Sequence, residues 1–289
     1  MTNLAEKSSF SFEVFPPKTA VNNQKIFQTL DELHDLQPNF ISVTSSNRTL
    51  NFENSTLKLA DYVQNKLKVP GVVHLTARYF DRKQIDRILV ELKFLGIKNI
   101  LVIRGDLAPG RPPKKDFQHA SDLMAYIKSK DANFRILGAC YPESHPESSN
   151  KISDIHHLKE KVAAGCDCLL TQMFFSNETF YQFQENCALA DINVPLIAGI
   201  MPIVNRAQAL HVLKQSECCL PKKFTQMLDR YQTDPTALKA AGLAYAINQI
   251  TDLVTNRVAG VHLYTMNQAN VARYIYQATK SLFTIKNPV

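Results

Sequence analysis

The segment Asn99-Ile-Leu-Val-Ile-Arg-Gly-Asp106 ends an apolar run on an Arg, a Gly and an Asp, and Leu107-Ala-Pro-Gly110 then stops it. Four consecutive apolar residues read as a strand buried on both faces, as in a parallel sheet. Charges at that boundary suit a site, because ligands of parallel α/β sheets bind at the carboxyl ends of strands. Taken alone, Arg104 and Asp106 fit a salt bridge or a helix cap equally well. Other apolar runs end in a similar way, on Glu13, Thr44, His74 with Thr76, Tyr141, Gln172, Met201 and Tyr264. No Lys ends a strand, which argues against a Schiff-base aldolase. No three His and carboxylate residues gather at ligand spacing, so no metal site is expected. Two carboxylates with neutral hydrogen-bonding groups remain, a set suited to gripping a polar heterocycle and moving a proton.

These residues need a scaffold that brings strand ends together. Residues 9–15 (closed by Pro16-Pro17), 40–44, 72–76 (after Pro70-Gly71), 99–106, 134–141, 168–175, 195–202 and 260–265 read as eight strands. The first helix is expected over 22–36, where Ile26, Leu30, Leu33 and Leu36 stand at helical spacing. A second falls at 56–67, and a third follows the N-cap Asp81 and carries Ile85, Ile88, Leu89, Leu92 and Leu95. Further helices are expected over 119–130, over 152–164 ended by Gly165, from Asn177, and from about Arg206. An insertion holding Leu220-Pro221 adds another, before a long helix over 235–255 and a last one reaching about Leu282. Regular βα alternation predicts parallel strands, and eight units is the closure number of a barrel. No Gly-x-Gly-x-x-Gly follows a strand and no P-loop occurs, which disfavours an open doubly wound sheet. We read residues 1–289 as a single (β/α)8, or TIM, barrel domain.

Composition narrows the partners. The 289 residues are 45% hydrophobic and 20% charged, enough to bury a full core. No apolar run approaches the roughly 18 residues of a membrane span, and the polar start Met-Thr-Asn-Leu-Ala-Glu-Lys does not read as a signal peptide. Six cysteines, Cys140, Cys166, Cys168, Cys187, Cys218 and Cys219, form no Cys-x-x-Cys pair and sit mostly in apolar company. This reads as a reduced, cytoplasmic protein. The net charge is +7, but its basic clusters are only Lys114-Lys115 and Lys222-Lys223, and the aromatic-plus-basic signature of an RNA-binding sheet is missing. Small polyanionic ligands suit this charge better than nucleic acid does.

At the strand ends the residues reach a resemblance. Ser11-Phe-Glu-Val-Phe-Pro-Pro17, Ser42-Val-Thr44, His74-Leu-Thr76, Arg104-Gly-Asp106, Tyr141-Pro-Glu-Ser-His-Pro146, Thr171-Gln172 and His262-Leu-Tyr-Thr-Met-Asn267 together resemble the methylenetetrahydrofolate reductases. The match spans nearly the whole chain in order, and its length resembles the compact bacterial form. The resemblance implies FAD as cofactor and NADH or NADPH as co-substrate. It also implies conversion of 5,10-methylenetetrahydrofolate to 5-methyltetrahydrofolate, supplying methyl groups for methionine synthesis in a homo-oligomer. Glu13 matches the catalytic glutamate, and Asp106 the aspartate beside the flavin that also contacts folate. Gln172 and Gln208 match substrate contacts. For FAD the resemblance carries over Thr44, His74, Arg104, Gly105, Asp106, Ala120, Ala139, Tyr141, His145, Asp154, His157, Lys161 and Tyr264.

The Glu13 side chain lies in a run with Phe12, Phe15 and Pro16, where desolvation would raise its pKa. Several positions depart from the family pattern: Ser45-Ser-Asn-Arg48 after Thr44, His157 and Glu160 near Lys161, Val212, and Gln268. Two rivals stay open, a flavin-free reductase of the same fold and a catalytically silent barrel acting as a binding partner. The intact Glu13, Asp106 and Gln172 set weighs against the second. No ribose or 2′-phosphate reader is legible, so the choice between NADH and NADPH stays open.

Overall fold

Strands that are apolar at both parities fit a parallel barrel, where one parity fills the interior and the other faces the helices. A computed structural model of the chain describes residues 7–17, 23–45, 52–107, 110, 112–145, 147–215 and 220–284. Eight strands, β1 (Ser9–Val14), β2 (Phe40–Val43), β3 (Gly71–Thr76), β4 (Asn99–Ile103), β5 (Arg135–Cys140), β6 (Cys168–Thr171), β7 (Leu196–Ile200) and β8 (Gly260–Tyr264), close a parallel barrel in chain order. The helices are α1 (Asn23–His34), α2 (Lys58–Asp61), α3 (Arg82–Phe94), α4 (Ala120–Lys130), α5 (Lys151–Ala163), α6 (Asn177–Leu189), α7 (Arg206–Gln215), α8 (Lys222–Arg230), α9 (Pro235–Thr255) and α10 (Ala269–Thr279). This is the (β/α)8 architecture expected from the alternation. Among the described residues no helix is long and apolar enough to cross a membrane.

Some boundaries differ from the sequence reading. β4 stops at Ile103 rather than Asp106, because Gly105 adopts a left-handed φ of +87° that turns the chain out of the sheet. β6 stops at Thr171, not Phe175: Phe174 stacks on Phe180 at 5.3 Å and Phe175 packs on Phe224 at 4.7 Å, so the apolar run enters the helical layer. The second helix is wound in wide π-type turns over Glu53–Leu57 and Tyr62–Lys66, on either side of the short α2. Asp81 caps α3 as expected, its Oδ1 accepting Gln84 N–H at 2.9 Å while Gln84 Oε1 accepts Asp81 N–H at 3.0 Å. Residue 22, the departures at Ser46-Asn-Arg48, and Cys218 and Cys219 lie outside the described residues.

Register decides which side chains meet. Ser11 pairs with Phe40 and with His262, and Glu13 pairs with Ser42 and with Tyr264, so these residues share the interior parity. On that parity Phe40, Val72, Leu101, Leu137, Cys168, Leu170 and Ile197 form a compact apolar plug. The β8–β1–β2 side of the plug is instead polar, with Ser11, Ser42 and His262 fully buried. The opposite parity, Phe10, Phe12 and Val14 on β1, joins the larger core beneath the helices. The seam between β8 and β1 is held by side chains as well as by the ladder. Thr265 Oγ1 donates to Glu13 O at 2.6 Å, and Asn267 exchanges two hydrogen bonds with the Phe15 backbone, at 3.1 and 2.9 Å.

Candidate active site

Interior-facing residues at the carboxyl ends have no further layer above them, so they line an opening. A cavity of about 520 Å³ stands there. Its wall includes Glu13, Thr44, His74, Arg104, Gly105, Asp106, Ala139, Tyr141, His145, Asp154, His157, Gln172 and Tyr264, all singled out in the sequence. Ala120, Lys161 and Gln208 are not on that wall. Ala120 is the buried first residue of α4. Lys161 donates Nζ to Ala139 O at 2.7 Å, so its charge is spent on the backbone of a lining residue. Gln208 accepts Val204 N–H on Oε1 at 3.1 Å and donates Nε2 to Pro202 O at 2.8 Å, a staple of the β7–α7 loop with which any ligand contact would compete.

Glu13 occupies a polar corner of the cavity. Its Oε2 lies 3.7 Å from His74 Nε2 and 4.0 Å from His262 Nε2. His262 is oriented by Ser11 Oγ at 2.7 Å on Nδ1 and by Ser42 Oγ at 3.2 Å on Nε2, and it stacks on Phe40 at 5.3 Å. His74 Nε2 is buried and has no hydrogen-bond partner among the described residues. Burial pushes the Glu13 carboxyl up to about 8 and both imidazoles down to about 3. At neutral pH the corner therefore holds one protonated carboxyl and two uncharged rings.

The rim is more highly charged. Arg104 Nη2 contacts Glu147 Oε1 at 2.7 Å, and Asp106 stands exposed two residues further on. Gly105 fits because a Cβ there would come 3.1 Å from Thr76 Cβ. The buried Asp154 holds the loop after β5, its Oδ1 accepting Ser148 Oγ at 2.9 Å and its Oδ2 accepting His145 N–H at 3.3 Å. Burial, with the Asp106 charge adding, pushes the Tyr141 phenol up to about 12. Across the mouth, Gln172 accepts Met173 N–H on Oε1 at 2.9 Å, leaving its Nε2 without a bond among the described residues. Tyr264 donates its hydroxyl to Thr171 O at 2.7 Å, bracing β8 against β6.

Four residues of functional interest were given no site role in the sequence reading, although His262 and Glu160 were noted there. His262 sits one interior layer below Tyr264, so counting back two residues along β8 would have found it. Glu147, His119 and Glu160 line the cavity from loops and from the exposed side of α5, where no periodic signal marks them. Among the described residues no group of three or more His, Cys, Asp or Glu is arranged to hold a metal ion.

Fold and rim together define a (β/α)8 barrel with a cavity at the strand carboxyl ends. Solved structures share the fold: an uncharacterized protein from Clostridium thermocellum that binds two copies of 5-methyl-5,6,7,8-tetrahydrofolic acid matches with a TM-score of 0.64, 13% identity and 97% of both chains covered. A dihydropteroate synthase from Coxiella burnetii in complex with pteroic acid matches with a TM-score of 0.53 and 10% identity, over 96% of this chain and 93% of that one. At these identities the likeness is one of fold. Sequence relatives are nearer. The 5,10-methylenetetrahydrofolate reductase of Buchnera aphidicola subsp. Schizaphis graminum is 34% identical over 94% of this chain and 91% of its own. That of Escherichia coli K12 is 32% identical over 91% and 87%. The methylenetetrahydrofolate reductase (NADH) 1 of Arabidopsis thaliana is 32% identical over 90% of this chain, which spans about half (46%) of the plant protein. The family model described as methylenetetrahydrofolate reductase matches residues 1–280. The chain belongs to the methylenetetrahydrofolate reductase family.

Proposed function

We propose that the protein reduces 5,10-methylenetetrahydrofolate to 5-methyltetrahydrofolate, with hydride from NADH or NADPH by way of FAD held in the cavity. In this reading it supplies methyl groups for methionine synthesis. The observation that carries the reading is Glu13, a carboxyl at the end of a barrel strand that burial keeps protonated at neutral pH. Opening the folate's five-membered ring needs a proton on the departing nitrogen, and Glu13 holds one.

The residues present fit FAD. The buried His74 Nε2 is an unpartnered polar atom on the cavity wall, and Gly105 removes a side chain from that wall. Arg104 and His145 supply N–H donors for a diphosphate in a barrel without a glycine loop. When bound, FAD would supply the hydride transfer from nicotinamide to folate, which no side chain can perform. The chain's own work is to bind, orient and protonate. Asp106 at the rim can accept hydrogen bonds from a pterin's amino and ring N–H groups, and Gln172 Nε2 can donate to its ring acceptors.

The test is anaerobic. NADH should bleach the flavin absorbance of the purified yellow protein, and methylenetetrahydrofolate should restore it. A colourless protein that still reduced folate would replace this reading with a flavin-free one. Absence of any NADH-dependent electron transfer to menadione would favour a silent barrel.

A further inference from the structure

One carboxylate sits on both Arg104, which lines the cavity, and Arg78 behind it. Arg104 Nη2 lies 2.7 Å from Glu147 Oε1, and Arg78 Nη2 lies 3.8 Å from Glu147 Oε2. Arg78 is fixed from the other side, its Nη1 donating to Gly105 O at 3.0 Å. The two arginine side chains are 24% and 15% exposed, whereas that of Glu147 is 58% exposed. The cations are thus largely buried, while the anion reaches them from the solvent side.

His145 adds a third donor at the same point. Its Nδ1 accepts the Glu147 backbone N–H at 3.0 Å, which assigns the ring proton to Nε2. That Nε2 stands 3.4 Å from Arg104 Nη2. Two N–H donors cannot satisfy each other, and burial together with the Arg104 charge disfavours a proton on the second ring nitrogen. Arg104 and His145 therefore present adjacent donors to the cavity, and the nearest oxygen anion on Arg104 is the carboxylate of Glu147.

We propose that Glu147 is an internal counter-anion that competes with a ligand diphosphate for Arg104 and Arg78, and so sets the affinity of the site. This rests on reading the cavity as an FAD site, where the diphosphate is the strongly anionic part. A diphosphate oxygen on Arg104 would face the Glu147 carboxylate at close range, and like charges at such separations repel. The Glu147 side chain is the one free to leave, because its loop is held through its backbone N–H and through Asp154.

Two measurements on Glu147→Gln, compared with the wild-type chain, test the proposal: FAD binding by flavin fluorescence quenching, and inorganic pyrophosphate binding by thermal shift. An exposed ion pair of this kind should yield FAD binding about two- to fivefold tighter once the competing charge is gone. The variant should also gain more in Tm from pyrophosphate than the wild type does. Glu147→Ala should behave the same way. Equal or weaker FAD and pyrophosphate binding by both variants would overturn the proposal and make Glu147 a brace for Arg104. If neither chain bound FAD but the variants still gained more from pyrophosphate, the flavin reading would fail and the competition would stand.

Discussion

Glu13 keeps its proton because no cation stands beside it. The groups within 4.0 Å are two imidazoles that burial keeps neutral, so nothing offsets desolvation of the carboxylate. On the proposed function, Glu13→Gln should keep reduction of the flavin by NADH and lose folate reduction by roughly 10²- to 10⁴-fold, read from the two half-reactions separately. In the wild type the folate half-reaction should fall as pH rises through about 8, because the acid form disappears there. A rate level from pH 6 to 9 would remove Glu13 from that role. The sequence placed Glu13 at a strand end correctly, but its neighbours in the chain are not its surroundings. Phe12 faces the helices, and the desolvating wall comes from β3 and β8, residues some 60 and 250 positions away. Gln208 illustrates the converse: a side-chain type suited to folate is engaged by its own loop.

At the scale of elements, the site depends on how strand ends are finished. Asn267 adopts a left-handed φ of 55°, which Asn tolerates better than most residues, and its amide makes both hydrogen bonds to Phe15. Asn267→Ala should cost about 1–3 kcal/mol in urea unfolding, since both Phe15 backbone groups lose their partner. Gly199 on β7 is a packing requirement of a different kind. A Cβ there would fall 2.3 Å from Thr171 O and 2.7 Å from Tyr264 Oη, so Gly199→Ala should break the Tyr264 brace and destabilise by about 1–3 kcal/mol. Retention of wild-type stability in that variant would show that β6 and β8 can separate freely. Strand and helix order was legible because apolar periodicity is strong in a barrel with a full helical coat. The end of β6 was not, because an apolar run reads the same whether it stays in the ladder or, like Phe174 and Phe175, turns beneath α6 and α8.

Across the whole molecule, the three buried groups give stability a definite pH dependence. Glu13 is raised from an ordinary 4.5 to about 8, so its contribution is complete below 4.5 and is lost as pH rises to 8. His74 and His262 are lowered from 6.5 to about 3, so theirs is complete above 6.5 and is lost as pH falls to 3. Between 4.5 and 6.5 the unfolded chain gains two protons on the histidines and lacks one on Glu13, so stability still rises with pH there. These groups therefore place the maximum near pH 6.5, and Glu13→Gln should flatten the decline above it in a series of urea midpoints. An unchanged decline in that variant would assign it to other groups. The sequence suggested the raised Glu13 pKa but not the two lowered imidazoles, because those require knowing that three interior residues from distant strands meet in one corner. The seam that closes the barrel has one more consequence, for the order in which the protein acquires its chemistry. The side-chain bonds that anchor Glu13 and Phe15 reach from Thr265 and Asn267, about 250 residues downstream. Contacts of such sequence separation are slow to form, and during synthesis they must wait until β8 and Asn267 have emerged. Glu13 is thus synthesised long before the residues that hold it in place.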